Sequence, residues 1–119
     1  MILVISGYRE FNDYKLFSLS VDNFIKNHGK PDQIIFGECR GTDMLAKKYV
    51  DENKIEHKIY YANWRIGLSA GPIRNNEMIK VGSHFLAFLS NKSKGTKQAI
   101  ESAEKNKLVV EVVKIDKID

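Results

Sequence analysis

The chain has 119 residues, of which 43% are hydrophobic and 29% charged, and its 19 basic and 15 acidic residues give a net charge of +4. This composition is typical of one globular domain over residues 1–119 and excludes wholesale disorder. The single cysteine, Cys39, excludes an internal disulfide and a cysteine-based zinc site. No apolar run approaches the roughly 18 residues of a membrane-spanning helix. We therefore expect a cytoplasmic protein with no cofactor, no metal and no membrane partner.

The first half of the chain alternates short apolar runs with stretches of helical periodicity. The predicted elements are, in chain order, a strand over 2–5, a helix from Tyr14, a strand over 34–36, a helix from about Thr42 and a strand over 55–61. Asn12 or Asp13 is available as the N-cap of the first helix, and Gly29 and Pro31 follow its end.

The second half continues the alternation after an irregular segment. Its predicted elements are the irregular segment over 62–71, a helix with Pro72 in its first turn, a strand over 85–89, a helix from Thr96 to about Asn106 and a strand over 108–113. Residues 114–119 are expected to fray or to extend the last strand. The order of elements predicts a Rossmann-like three-layer α/β sandwich, in which helices cover both faces of a parallel sheet of about five strands.

The loops that follow the predicted strands are rich in arginine and glycine. Ligands bind to parallel sheets at this edge, outside the carboxyl ends of the strands. All four arginines lie in these loops, namely Arg9, Arg40, Arg65 and Arg74. Arginine offers a planar fork for phosphate or carboxylate, and six of the eight glycines are in the same loops, where they allow close approach to a ligand. The pattern predicts an anion-binding edge.

Two helix starts strengthen this prediction. The segments Gly41-Thr42-Asp43 and Gly95-Thr96 each place a glycine and a hydroxyl where free amides and the helix dipole favour phosphate. The alternative is that the threonines are ordinary helix caps and the glycines ordinary turn residues.

Several other side chains at this edge allow two interpretations. Trp64 and Tyr8 would either stack on a base or pack their loops onto the core. Glu38, Asp43 and Glu77 are candidate general acids or bases, or partners of neighbouring arginines in salt bridges. Away from the edge, three aromatic residues either pack in the core or are partly exposed in a homo-oligomer, namely Phe17, Phe24 and Tyr49.

With these residues identified, the chain resembles the YspA-type branch of the SLOG superfamily, which also includes the Lonely Guy hydrolases and the DNA-processing protein DprA. The resemblance covers about residues 3–113. It is carried by Ser6-Gly7-Tyr8-Arg9, Gly37 through Asp43, Ala62-Asn63-Trp64, the Ala-Gly-Pro-Ile-Arg-Asn-Asn-Glu-Met block over 70–78, and Gly95-Thr96. It implies a Rossmann-like domain that holds a nucleotide or a nucleotide-derived molecule at the strand ends.

One motif of the hydrolases is present and another is incomplete. Arg74 through Met78 is similar to the Arg-x-x-x-Met helix start of the Lonely Guy enzymes. Their Pro-Gly-Gly-x-Gly-Thr loop and its following glutamate are reduced here to Gly95-Thr96, and residues 97–99 are Lys-Gln-Ala. This departure weighs against hydrolysis of that type and leaves phosphate binding at Gly95-Thr96 intact.

Three functions remain open from the sequence. The first is the binding of a phosphorylated nucleotide-type ligand, which the chain would sense or sequester, in the host cytoplasm if a phage encodes it. The candidate ligand-binding residues are Gly7, Tyr8, Arg9, Gly37, Arg40, Gly41, Thr42, Asp43, Trp64, Arg74, Asn75, Gly95 and Thr96. The second is hydrolysis of a nucleotide, catalysed by Glu38, Asp43 or Glu77. The third is binding of single-stranded nucleic acid, which the convergence of the arginines on one edge disfavours.

Overall fold

The computed structural model describes residues 1–116, which form five strands, four α-helices and one turn of 3-10 helix. Their bounds are β1 (Ile2–Gly7), α1 (Tyr14–His28), β2 (Gln33–Gly37), α2 (Thr42–Asn53), β3 (His57–Tyr60), the 3-10 turn (Trp64–Ile66), α3 (Ala70–Val81), β4 (His84–Leu89), α4 (Lys94–Lys105) and β5 (Val109–Lys114). No helix in this part of the chain is both long enough and apolar enough to cross a membrane.

The strands form one parallel sheet in the order β3-β2-β1-β4-β5. This confirms the predicted Rossmann-like α/β fold. The chain builds outward from β1 through β2 to β3, and then crosses back to place β4 on the other side of β1. The connections that leave β1 and β4 therefore diverge, and a crevice opens between the carboxyl ends of these two strands.

Helices cover both faces of the sheet because successive strand residues point to opposite sides. On one face, Leu3, Ile34 and Leu86 pack against α1 and α2. On the other face, Val4, Ile35 and Phe85 pack against Met78 and Ile79 of α3 and the small side chains of α4. Strands buried on both sides explain the continuous apolar runs in the sequence.

The first helix shows how the sequence fixes one of these layers. Asp13 is its N-cap and accepts a hydrogen bond of 3.0 Å from the Leu16 amide. Phe17 is fully buried and stacks on Phe88 of β4 with 4.8 Å between ring centroids. Truncating such a side chain to alanine costs about 3–5 kcal/mol. The core also contains Phe24 and Tyr49. The interpretation of Phe17, Phe24 and Tyr49 as core residues is therefore confirmed, and the alternative that they are partly exposed is wrong.

Some element bounds differ from the prediction, most clearly at the edge strands. β3 is shorter than 55–61, because the Ile55 amide still bonds to Val50 at the end of α2 and Tyr61 is exposed beyond the strand. α4 begins at Lys94, two residues before the predicted start. Lys114 extends β5 beside Leu89, whereas residues 117–119 lie outside the described part of the chain.

Candidate functional site

A cavity of about 540 Å³ lies at the crevice between the carboxyl ends of β1 and β4. Its wall comes from the loop after β1, the start of α2, the 3-10 turn, the first turns of α3 and the start of α4. Many of the candidate site residues line it, namely Gly7, Tyr8, Arg9, Asp43, Trp64, Arg74, Asn75, Gly95 and Thr96. Residues far apart in sequence are therefore brought together at the sheet edge where the sequence predicts a ligand site.

Other candidate residues lie outside the cavity wall. Arg40 is exposed and forms an ion pair with Glu10. Glu77 is exposed on α3. Gly37 lies beneath the wall, where a Cβ atom would come within 2.6 Å of the Arg74 guanidinium carbon. Gly37 thus provides the space that Arg74 occupies.

The start of α4 opens into the cavity. Ser93 is the N-cap residue, but its hydroxyl accepts a hydrogen bond of 3.1 Å from the Ser90 amide instead of capping the helix. The first-turn amides of a helix have no partner within the helix, and the dipole makes this end positive. Thr96 is only 6% exposed and lines the cavity. Lys92 and Lys94 line the same end of the cavity. This end of the cavity is suited to an anion.

The start of α2 has a different environment, although its sequence is similar. The Thr42 hydroxyl donates to the Tyr8 carbonyl at 2.9 Å, and the Thr42 amide lies 3.3 Å from the same oxygen. Gly41 has a φ of +76°, and a Cβ atom there would come within 2.7 Å of that carbonyl. The start of α2 therefore holds the loop that carries Arg9 in place. Of the three residues Gly41, Thr42 and Asp43, Asp43 alone lines the cavity.

Glu38 connects the loop around Trp64 to α3. Its Oε1 atom accepts a hydrogen bond of 2.9 Å from Trp64 Nε1, and its Oε2 atom accepts one of 2.8 Å from Arg74 Nη1. The same Oε2 atom lies 3.3 Å from the Ala62 amide. Both carboxylate oxygens are engaged within the protein, so Glu38 forms the salt bridge that the sequence allowed as an alternative to acid–base chemistry.

Trp64 contacts both the protein and the cavity. Its indole N–H is held by Glu38, and its ring approaches a Cβ position on Gly71 within 3.3 Å. The Arg9 guanidinium lies 5.2 Å from the ring centroid, in a cation–π arrangement. Trp64 remains 43% exposed and lines the cavity. Trp64 and Arg9 together provide a flat, cationic wall.

Arg74 is the buried cation of the site, with 5% exposure. Its guanidinium has partners in addition to Glu38. The Nε atom donates to Asn75 Oδ1 at 2.9 Å, and the Nη2 atom lies 3.8 Å from Cys39 Sγ. A buried guanidinium needs such partners, because desolvation of an unpaired charge is costly. Arg74 therefore stabilises the wall and also presents positive charge to the cavity.

Asp43 is a carboxylate in the cavity wall with an altered acidity. Burial raises the pKa of Asp43 to about 6. The Cys39 amide, 3.0 Å from Oδ2, and the nearby Arg74 lower the pKa and oppose this effect. Because the wall also holds Arg9, Arg74, Lys92 and Lys94, its net charge is positive.

Sequence reasoning did not identify the residue that holds the loop before α4. Asp116 accepts a hydrogen bond of 2.9 Å from the Ser90 hydroxyl and another from the Asn91 amide. These bonds lower the pKa of Asp116. No signal in the sequence pointed to it, because it follows the last strand and is 26 residues from its partner. Within residues 1–116, no cluster of three or more His, Cys, Asp or Glu side chains is arranged to hold a metal ion.

Comparisons with known proteins identify the family of the chain. The family model YAcAr, described as the YspA, cpYpsA-related SLOG family, matches residues 1–67. Searches of curated proteins and of solved structures give no significant match. Membership of a SLOG family indicates a role connected with a nucleotide-related ligand. The matched part is more than half of the chain, and the chain belongs to the YspA, cpYpsA-related SLOG family.

Proposed function

We propose that this protein binds a nucleotide or a nucleotide-derived phosphorylated molecule in the cavity between β1 and β4. The observation that carries the proposal is the start of α4, whose uncapped first turn opens into a positively charged cavity. Helix N-termini bind phosphate through amide hydrogen bonds and the helix dipole. The family supports the nucleotide-related class of ligand, and the open start of α4 in the cavity wall supports a phosphate position at Gly95 and Thr96.

The rest of the cavity suits the other parts of such a ligand. Its volume of about 540 Å³ lies within the range of small-molecule sites. The Trp64 ring, held by Glu38 and faced by Arg9, offers a surface on which a base can stack. Asp43 lies in the wall as a hydrogen-bond acceptor for a ribose hydroxyl. Binding without turnover would serve to sense or to sequester the ligand.

The first test is a ligand panel with matched arginine variants. Purified protein is mixed with nucleoside mono- and diphosphates, dinucleotides and cyclic nucleotides, and chromatography analyses both the retained and the released fractions. For a retained ligand, calorimetry should show that Arg9→Ala weakens binding by about tenfold, since it removes a charged contact. Arg40→Ala also removes one exposed guanidinium but lies outside the cavity, and it should bind normally. Retention of no nucleotide, or equal effects of the two variants, would contradict the proposal.

A second candidate function, hydrolysis of the bound nucleotide, is favoured by Asp43. A carboxyl group with a pKa raised to about 6 exchanges protons readily near neutral pH. In this reaction protonated Asp43 gives its proton to the departing base as the N-glycosidic bond breaks. Water adds to the anomeric carbon and loses a proton, which restores the protonated Asp43. A free base and a ribose phosphate in the released fraction, lost in Asp43→Asn, would support this function. An intact ligand after prolonged incubation excludes it.

A further inference from the structure

A second cavity of about 350 Å³ lies in the groove between α3 and α4 and adjoins the first. Four residues line both cavities, namely Pro72, Asn75, Gly95 and Gln98. The junction is therefore at the start of α4, where the proposed function places a phosphate. A ligand held there by its phosphate can extend in two directions, toward Trp64 or into the groove.

The groove has a chemistry different from that of the main cavity. Asn75 Oδ1 accepts a hydrogen bond of 2.9 Å from Arg74 Nε, and Asn76 Oδ1 accepts one of 2.8 Å from the Ser102 hydroxyl. With both amide oxygens engaged, each side chain has its NH₂ group left to donate. The α3 wall of the groove thus offers uncharged donors, and its α4 wall carries the oppositely charged Glu101 and Lys105, which leave the lining without net charge.

Uncharged donors next to a phosphate site match a polar, neutral group attached to that phosphate. A third phosphate would enter a lining without net positive charge, because Glu101 offsets Lys105, and an apolar group would leave the amides unpaired. Sugar hydroxyls satisfy both conditions, because their oxygens accept hydrogen bonds and they carry no charge.

We propose that the ligand is a nucleoside diphosphate ester of a sugar, with the diphosphate at the start of α4 and the sugar in the groove between α3 and α4. This assignment rests on the proposed function, since it uses the same phosphate site. It adds a second binding region, in which Asn75 and Asn76 donate to the sugar and distinguish the ester from the free diphosphate.

The test compares ligands that differ only by the sugar. ADP, GDP, UDP and CDP are titrated calorimetrically beside ADP-glucose, GDP-glucose, UDP-glucose and CDP-glucose. For the base that fits, the ester should bind about tenfold more tightly than the diphosphate, as expected for one or two additional hydrogen bonds. Asn76→Ala should remove this advantage and leave the affinity for the diphosphate unchanged. Asn23→Ala makes the same change on exposed α1, on the opposite face of the sheet, and should keep the advantage.

The outcomes separate the two proposals. If a diphosphate binds and its ester binds no more tightly, the groove assignment is wrong and the phosphate site stands. If Asn76→Ala weakens the diphosphate and the ester equally, the groove does not recognise the sugar. If none of the eight compounds binds the native protein, both the groove assignment and diphosphate binding at α4 are overturned.

Discussion

The indole N–H of Trp64 and the carboxylate of Glu38 are joined by a hydrogen bond of 2.9 Å. This bond connects the segment between β3 and α3 to the residue that follows β2. Glu38 in turn accepts a hydrogen bond from Arg74 of α3. The longest irregular segment of the chain is thereby held in one position at the cavity. This hydrogen bond acts with the contacts to Arg9 and Gly71 to orient the Trp64 ring.

Replacing Trp64 by phenylalanine tests this connection. Trp64→Phe keeps an aromatic ring but removes the donor to Glu38, so we expect the free energy of unfolding to fall by about 1 kcal/mol. Urea denaturation followed by circular dichroism measures the change. Tyr61→Phe, at an exposed position in the same segment, should leave the midpoint unchanged. Equal midpoints for Trp64→Phe and the native protein would show that the bond contributes nothing.

Gly37→Ala should force the Arg74 guanidinium away from Glu38. The added methyl would lie 2.6 Å from the guanidinium carbon, and overpacking together with a disturbed buried ion pair costs about 2–4 kcal/mol. A double-mutant cycle identifies the cause. In an Arg74→Ala background the same substitution should cost less by at least about 1 kcal/mol, because the clash with Arg74 is absent and only the approach to Asp43 Oδ2, at 2.8 Å, remains. Additive effects would place the strain elsewhere.

Asp43 should reduce stability more as the pH rises. Burial raises its pKa to about 6, above the value of 3.8 for an unperturbed carboxyl, so between these values the folded protein binds more protons than the unfolded chain. The unfolding free energy of the native protein, minus that of Asp43→Asn, should therefore fall between pH 4 and pH 7 by an amount on the order of 2 kcal/mol. Urea denaturation of both proteins at each pH measures this difference in unfolding free energy. The contributions of the other carboxylates are the same in both proteins and cancel. A difference that is constant or rises with pH would contradict the burial of a charged Asp43.

Gly95→Ala should stabilise the protein and weaken ligand binding. A Cβ atom at Gly95 meets nothing within 4 Å, and alanine is favoured over glycine in a helix by roughly 0.5–1 kcal/mol. The methyl group, however, enters the part of the cavity wall assigned to phosphate. Thermal unfolding and calorimetry on the same sample separate the two effects. Unchanged affinity would move the phosphate away from the start of α4.

The fold was predictable because its central strands are buried on both faces. The apolar runs at 2–5, 34–36 and 85–89 lie within β1, β2 and β4, as expected for strands in the middle of a parallel sheet. β3 is at an edge and its pattern is weaker, so its length was overestimated. The strand order did not follow from the pattern, because it depends on which side of β1 each crossover returns to.

The site was predictable as an edge of the sheet but not residue by residue. Gly41-Thr42 and Gly95-Thr96 are the same dipeptide at two helix starts. The first packs on the carbonyl of Tyr8, and the second lines the cavity. The difference arises from neighbours distant in sequence, which a local pattern does not contain. Distant neighbours also determine the different roles of two arginines. Arg9 faces Trp64, whereas Arg40 pairs with Glu10.

The cavity is built from both halves of the chain, but the family match covers the first half. Residues 1–67 match the family and supply Arg9, Asp43 and Trp64, whereas Arg74, Gly95 and Thr96 come from the half beyond the match. The part of the chain that shows the family and the part proposed to hold the phosphate are thus different. A relative that keeps the first half and diverges in the second would retain the aromatic wall while acquiring a new anion specificity, and a chimera exchanged at residue 67 would carry that specificity with its second half.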